Sequence, residues 1–201
     1  MINRYSDFYP FMVDDLPGCP TIEKLQKLRQ AFREFAMETE SWTEELAKVN
    51  LVADQTTYDL NPTYDGLVKR IVWVKISGSA QSTSHYELRN ERQLYWKSDY
   101  VPSTSVTSGL QVKVALYPDV GSRVVDPNFF TRWFEAILAK AKCDLMSMEG
   151  KKWYNPRECE KYFAIYRKRY ASAIKERYVE NKTGSLMVNL SGLTGKAGSF
   201  A

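Results

Sequence analysis

Apolar residues recur at three- and four-residue steps in three stretches of this chain, and at two-residue steps between the first stretch and the second. The first stretch carries Ile22, Leu25, Leu28, Phe32, Phe35 and Thr39, one stripe of an α-helix. With Thr21 as N-cap after Pro20, a helix is predicted over Thr21–Glu40, ~30 Å long at 1.5 Å per residue. Glu23 and Lys27 stand four apart, in the favourable order for a surface ion pair. Trp42, just past the helix end, is expected to cap the core. Ahead of the helix, Asp7–Phe11 and Leu16–Pro20 mix aromatic side chains with Pro and Gly. That mixture predicts an irregular arm packed across the fold.

The period then drops to two. Ala47, Val49 and Leu51 alternate with Lys48 and Asn50, Tyr58 and Leu60 resume the alternation, and Val68, Val72, Val74 and Ile76 follow. Leu110, Val112, Val114 and Leu116 alternate with Gln111, Lys113 and Ala115. Alternation bounded by Asn-Pro, Ser-Gly and Pro-Asp is the signature of strands. Residues 43–117 therefore read as a small antiparallel β-domain, with one short helix at Asn90–Tyr95 and loops at Ser77–Ser84 and Lys97–Gly109.

Helical spacing returns at Asp126, an N-cap followed by Pro127 at the first helical position. Phe130, Phe134, Ile137, Ala141 and Leu145 form its stripe, widened by Trp133, Leu138 and Met148. A stripe so broad must be covered on more than one side. Gly150 stops it. Asn155-Pro-Arg-Glu158 starts another helix in capping-box form, with Cys159, Phe163, Tyr166, Tyr170 and Ile174 on its stripe and a basic flank. After Lys182 the chain turns Gly-rich, lacks acidic residues, and is interrupted by Leu186, Met187, Val188, Leu190, Leu193 and Phe200. The expectation is α+β: a helical bundle of three main helices (1–42 and 118–182) with a long αα-hairpin near the C-terminus. A small antiparallel β-domain (43–117) is inserted into it, and an extended tail (183–201) follows.

Composition narrows the function classes. A net charge of +4 permits an acidic partner but falls short of a dedicated nucleic-acid coat. Three dispersed cysteines, Cys19, Cys143 and Cys159, without CxxC spacing argue against a disulfide framework and for synthesis in a reducing compartment. With one histidine, His85, a structural zinc site is not expected. Met1–Tyr5 lacks the apolar run of a signal peptide, and no stretch approaches the ~20 apolar residues of a membrane span. The sequons at Asn181 and Asn189 then read as chance matches. His85 beside Ser84 is expected to be a solvated loop residue. Gly192–Lys196 is too short for a phosphate loop and is followed by Ala197 in place of the hydroxyl. Asp14-Asp15 and Glu44-Glu45 are adjacent acids, which says nothing of their separation in space. No catalytic residue, metal or cofactor is assigned.

The pieces together resemble a known family. Phe8-Tyr-Pro-Phe11, Leu16–Pro20, Leu28–Phe35 and Trp42 are similar to the opening of phage head-to-tail adaptor proteins, of the tail tubular protein A type of short-tailed phages. Val49–Leu60 and Val68–Ile76 resemble their first strands, and Gly150–Pro156 with Tyr162–Tyr170 their last turn and helix. The resemblance spans roughly residues 8–178. It implies a non-enzymatic virion protein at the portal vertex, made in the host cytoplasm. Such a protein forms a ring, commonly of twelve copies, between the portal protein and a tail or nozzle protein, with no membrane contact. DNA passes through the ring without sequence specificity. On that reading Leu186, Met187, Val188, Leu190, Leu193 and Phe200 bind the portal or a neighbouring subunit. Arg167, Lys168, Arg169 and Lys175 face the DNA channel or an acidic partner. Two further readings are a virion-associated cell-wall hydrolase, for which no motif is present, and a stand-alone nucleic-acid-binding protein resting on the basic helix.

Overall fold

A computed structural model describes residues 4–122 and 126–180 of the chain. A 3₁₀ turn over Tyr5–Phe8 leads into a four-residue helix α1 (Pro10–Val13) and then α2 (Thr21–Thr39). Eight strands follow: β1 (Thr43–Glu45), β2 (Val49–Leu51), β3 (Thr57–Asp59), β4 (Gly66–Ile76), β5 (Ser79–Ala80), β6 (Tyr86–Arg89), β7 (Gln93–Trp96) and β8 (Val106–Pro118). Helices α3 (Pro127–Met146) and α4 (Pro156–Glu180) complete the described chain.

The protein is α+β, but it is not a helical bundle carrying a small inserted β-domain; that expectation is corrected. The strands form two sheets, one a curled half-barrel. In the larger sheet β8 is the common strand. It pairs with β4 along one edge and with β1 and β2 along the other, all antiparallel, and β5 extends the β4 side. Register shifts at Val68/Arg70 and Ile71/Trp73 in β4, and between Val49 and Leu51 in β2, bend the sheet. The second sheet runs β3-β7-β6.

The physical reason for the correction is the length of β8. Thirteen residues at ~3.4 Å each carry it ~44 Å, so its C-terminal end, still paired with β4 at Gly66–Pro118, reaches the helices. The Leu116 amide donates to the Trp42 carbonyl at 2.7 Å, and the Arg33 guanidinium donates to the Pro118 carbonyl at 2.8 Å. Trp42, 1 % exposed, lies between the two layers against Phe32 and Phe129. One continuous apolar core runs from Phe8 and Phe130 through Trp42 to Leu51, Val74 and Leu110.

Local details follow the capping and turn rules. The Asp126 carboxylate accepts from the Asn128 amide, as an N-cap does. For α2 the cap residue is Pro20, and Thr21 is the first helical position. The arm packs as its composition predicts, with Tyr5, Phe8, Met12 and Leu16 buried. The helix expected at Asn90–Tyr95 is instead a hairpin. Asn90 and Glu91, both at positive φ, make the tip, and β7 follows. Val106–Gly109, expected as loop, opens β8. Ile22, placed on the buried stripe of α2, is exposed, and Glu23 pairs with Lys151 while Lys27 donates to Gln30.

Candidate interaction surface

The αα-hairpin near the C-terminus is built around a tight turn. Gly150 at φ 77° makes the reversal that a side chain would disfavour. Trp153 folds under it, and the Asn155 amide donates to the Met146 carbonyl at 2.9 Å. The Asn155 side chain then accepts from the Glu158 amide and starts α4. The reciprocal half of the expected capping box is not formed: Glu158 binds Lys161.

Cys143 of α3 and Cys159 of α4 are joined by a disulfide, whereas Cys19 is a buried thiol. This corrects the expectation drawn from cysteine count and spacing. Positions 143 and 159 lie equally far from the hairpin turn, so antiparallel helices bring them opposite each other.

Beneath the hairpin lies a polar knot. Lys142 is buried, forms an ion pair with Asp15, and approaches the Tyr162 ring at 5.0 Å. The Lys142 hydrogen bond holds the Asp15 carboxyl below its usual range, against the opposing effect of desolvation. Burial pushes the Tyr162 phenol up to about 12, with its hydrogen bond to Asp15 and the Asp15 charge adding to the shift. Burial raises Tyr166 as well, with the Glu38 carboxylate next in effect. The signs set two pH limbs. The Asp15 contribution is full above the unfolded carboxylate pKa of ~3.9 and is lost as pH falls through the lower folded value. The tyrosine contribution is full below ~10 and is lost as pH rises through the raised folded values. The urea midpoint is therefore expected to be flat between about pH 5 and pH 9 and to fall on both sides. Asp15→Asn should shrink the acid limb and Tyr162→Phe the alkaline one; unchanged limbs in both variants would refute the assignment.

The outer side of α4 belongs to the predicted basic residues, and they divide. Arg169 is held by Glu135 of α3 at 2.5 Å, so it ties the hairpin together. Arg167 lies over the Phe163 ring at 6.0 Å, and it, Lys168 and Lys175 are exposed. Arg157, Lys161, Lys168 and Lys175 fall on one line at helical spacing, a basic stripe turned away from the core. Phe163, placed on the inward stripe by spacing, is 44 % exposed; Tyr178 is 56 % exposed, and Val179 is also exposed. The predicted tail residues Leu186, Met187, Val188, Leu190, Leu193 and Phe200 lie outside the described residues.

The other sequence candidates scatter. His85 stacks on Tyr100 with ring centroids 4.1 Å apart, while the Ser84 hydroxyl pairs with Ser82. Asp15 turns to Lys142, and Glu44 accepts from the amide and hydroxyl of Thr63. A polar cleft of about 470 Å³, which sequence reasoning missed, opens between Asp59–Gly66 and the β6–β7 tip, lined by Asp59, Tyr64, Asp65, Arg92 and Gln93. It joins residues far apart in the chain, so no local motif marks it. Among the described residues no helix is long and apolar enough to cross a membrane. Comparison with models of known protein families and with curated proteins finds no match to this chain.

Proposed function

We propose that this chain is a virion structural protein: a non-enzymatic head-to-tail adaptor that forms a ring between the portal and the tail. The observation that carries the reading is α4. Its inner face is used by α2 and α3, yet its outer side combines a basic stripe with exposed Phe163, Tyr178 and Val179. A helix finished on one face only, carrying aromatic and cationic groups on the other, suits an assembly that supplies the missing cover. The sequence resemblance names such an assembly and gives the basic stripe an occupant, the DNA passing through the ring. Lys168 and Lys175 fit channel lining, because no carboxylate ties them among the described residues; Arg169, held by Glu135, fits scaffold.

The test is electron microscopy of the purified protein mixed with its portal. Wild-type protein is expected to form a ring on the portal. A chain ending at Lys182 is expected to keep its circular dichroism spectrum and lose portal binding. A wild-type protein that stays monomeric beside the portal sinks the adaptor reading, and normal binding by the shortened chain sinks the role given to the tail residues. A stand-alone DNA-binding role makes a different demand: strong salt-dependent affinity that weakens when Arg167 and Lys168 are neutralised.

A further inference from the structure

On the side of α3 away from α4 lies an apolar groove of about 220 Å³, lined by Phe8, Phe11, Phe130, Thr131 and Phe134. Its floor is complete: Phe8 and Phe130 are buried and stack with centroids 3.7 Å apart. Its rim is open. Phe11 is 48 % exposed although its ring meets the edge of Phe134 at 5.0 Å, and Val13, on the same short helix, is exposed too. Scattered apolar residues on a surface need no explanation, but Phe11 and Phe134 adjoin over one groove. Phe134 and Cys143 are nine residues apart on α3, a rotation of ~180° at 3.6 residues per turn. Cys143 holds α4, so the groove and α4 occupy opposite sides of α3.

The outer flank of α4 presents the complementary chemistry. Phe163, Arg167 and Tyr178, at steps of four and eleven residues, line up along the helix. Charge matches as well. Residues 4–20 carry three acids, Asp7, Asp14 and Asp15, and one base, Arg4; residues 156–179 carry seven bases and three acids. Asp15 is taken by Lys142, whereas the neighbouring Asp14 is exposed.

The geometry points to a head-to-tail contact between copies of this chain, in which the Phe163–Tyr178 flank of α4 on one copy covers the Phe11–Phe134 groove of the next and Arg167 meets the acidic arm at Asp14. The two surfaces differ and lie on opposite sides of α3, so every copy can use both. Contacts of that kind propagate and close into rings when the rotation allows, where a two-fold contact would stop at a dimer. The inference rests on the ring reading for its closure; the pairwise contact stands on the two surfaces alone.

Sedimentation velocity over a concentration series tests it with two single variants. Phe11→Asp spoils the groove and leaves α4 intact; Phe163→Asp does the reverse. Both residues are substantially exposed, and unchanged thermal midpoints check that both variants fold. Wild-type protein is expected to form species larger than a dimer. Each variant alone should associate at least about tenfold more weakly, a loss of ~1.4 kcal/mol. An equimolar mixture of the two should regain association that stops at the dimer, because one intact groove meets one intact flank. Asp14→Arg or Arg167→Asp alone should weaken association, and the two combined in one chain should restore it. Wild-type protein that stays monomeric at every concentration, variants that associate as wild type does, or a mixture that stays monomeric would each overturn the contact. On the portal, normal rings of Phe11→Asp overturn the contact and leave the adaptor reading intact. Failure of wild-type protein to bind the portal strikes the adaptor reading, and sedimentation still decides the contact.

Discussion

Replacing Phe32 with Ala is expected to lower unfolding free energy by about 4 kcal/mol, the range for deleting a fully buried ring. Phe32 has no exposed surface and touches rings on three sides: Tyr5 of the arm at 5.9 Å, Trp42 at the sheet junction at 5.8 Å, and Phe129 and Phe130 of α3, both at 5.2 Å. The rings around it are rigid, so a cavity is expected to remain and the cost to stay near the upper part of the range. A loss of this size is a large share of the ~5–15 kcal/mol that holds a domain together. The sharper expectation concerns cooperativity. Because arm, helices and sheet share one core, far-ultraviolet and aromatic circular dichroism should report one coincident transition in wild type and variant alike. Separate melting of sheet and helices would show that the layers are energetically independent.

Breaking the Cys143–Cys159 bridge is the second large perturbation. It closes a loop of sixteen residues, and releasing such a loop costs about 3 kcal/mol in the chain-entropy picture. The double change Cys143→Ser and Cys159→Ser, or reductant added to wild type, should lower the urea midpoint by a matching amount. Thiol titration of unreduced, unfolded protein should find one free cysteine, Cys19. Three titratable thiols and a midpoint insensitive to reductant would refute the bridge. Loss of the bridge should act mainly on the hairpin turn, since the Arg169–Glu135 and Arg132–Glu176 ion pairs tie the helices farther along.

These two cases mark where the sequence was legible and where it was not. Local rules carried far: the Asp126 cap and the Asn155 start describe the observed helices, whereas α3 ends at Met146, ahead of the expected stop at Gly150. They rest on interactions within a few residues, which a linear reading can weigh. Strand positions carried nearly as well, because Val74, Leu110 and Val112 alternate against one buried face. What escaped was pairing at a distance. Periodicity does not show that β8, while still paired with β4, reaches Trp42 and Arg33, which turns an expected insert into half of a shared core. Tyr86, Leu88, Leu94 and Trp96 alternate around the Asn90-Glu91 tip, but so short a hairpin resembles a helical turn. Cysteine count and spacing argue against a bridge, although a hairpin turning around Gly150 puts 143 and 159 opposite one another. For the surface, the basic residues of α4 were visible, while their division into bound Arg169 and open Lys168 and Lys175 needed the position of Glu135. The outward turn of Phe163 needed the width of the α3–α4 contact.

Strand β8 gives the molecule a mechanical property. It is bonded along both edges, to β4 over most of its length and to β1 and β2 opposite, and its C-terminal end is tied to α2 through Arg33. Tension arriving along its axis from the α3 side loads both ladders in shear, so several hydrogen bonds must fail together. A strand held by one edge and pulled sideways would peel one bond at a time. β8 thus serves as a tie rod between the helical layer and the sheet, strongest along the line on which the two layers would be drawn apart.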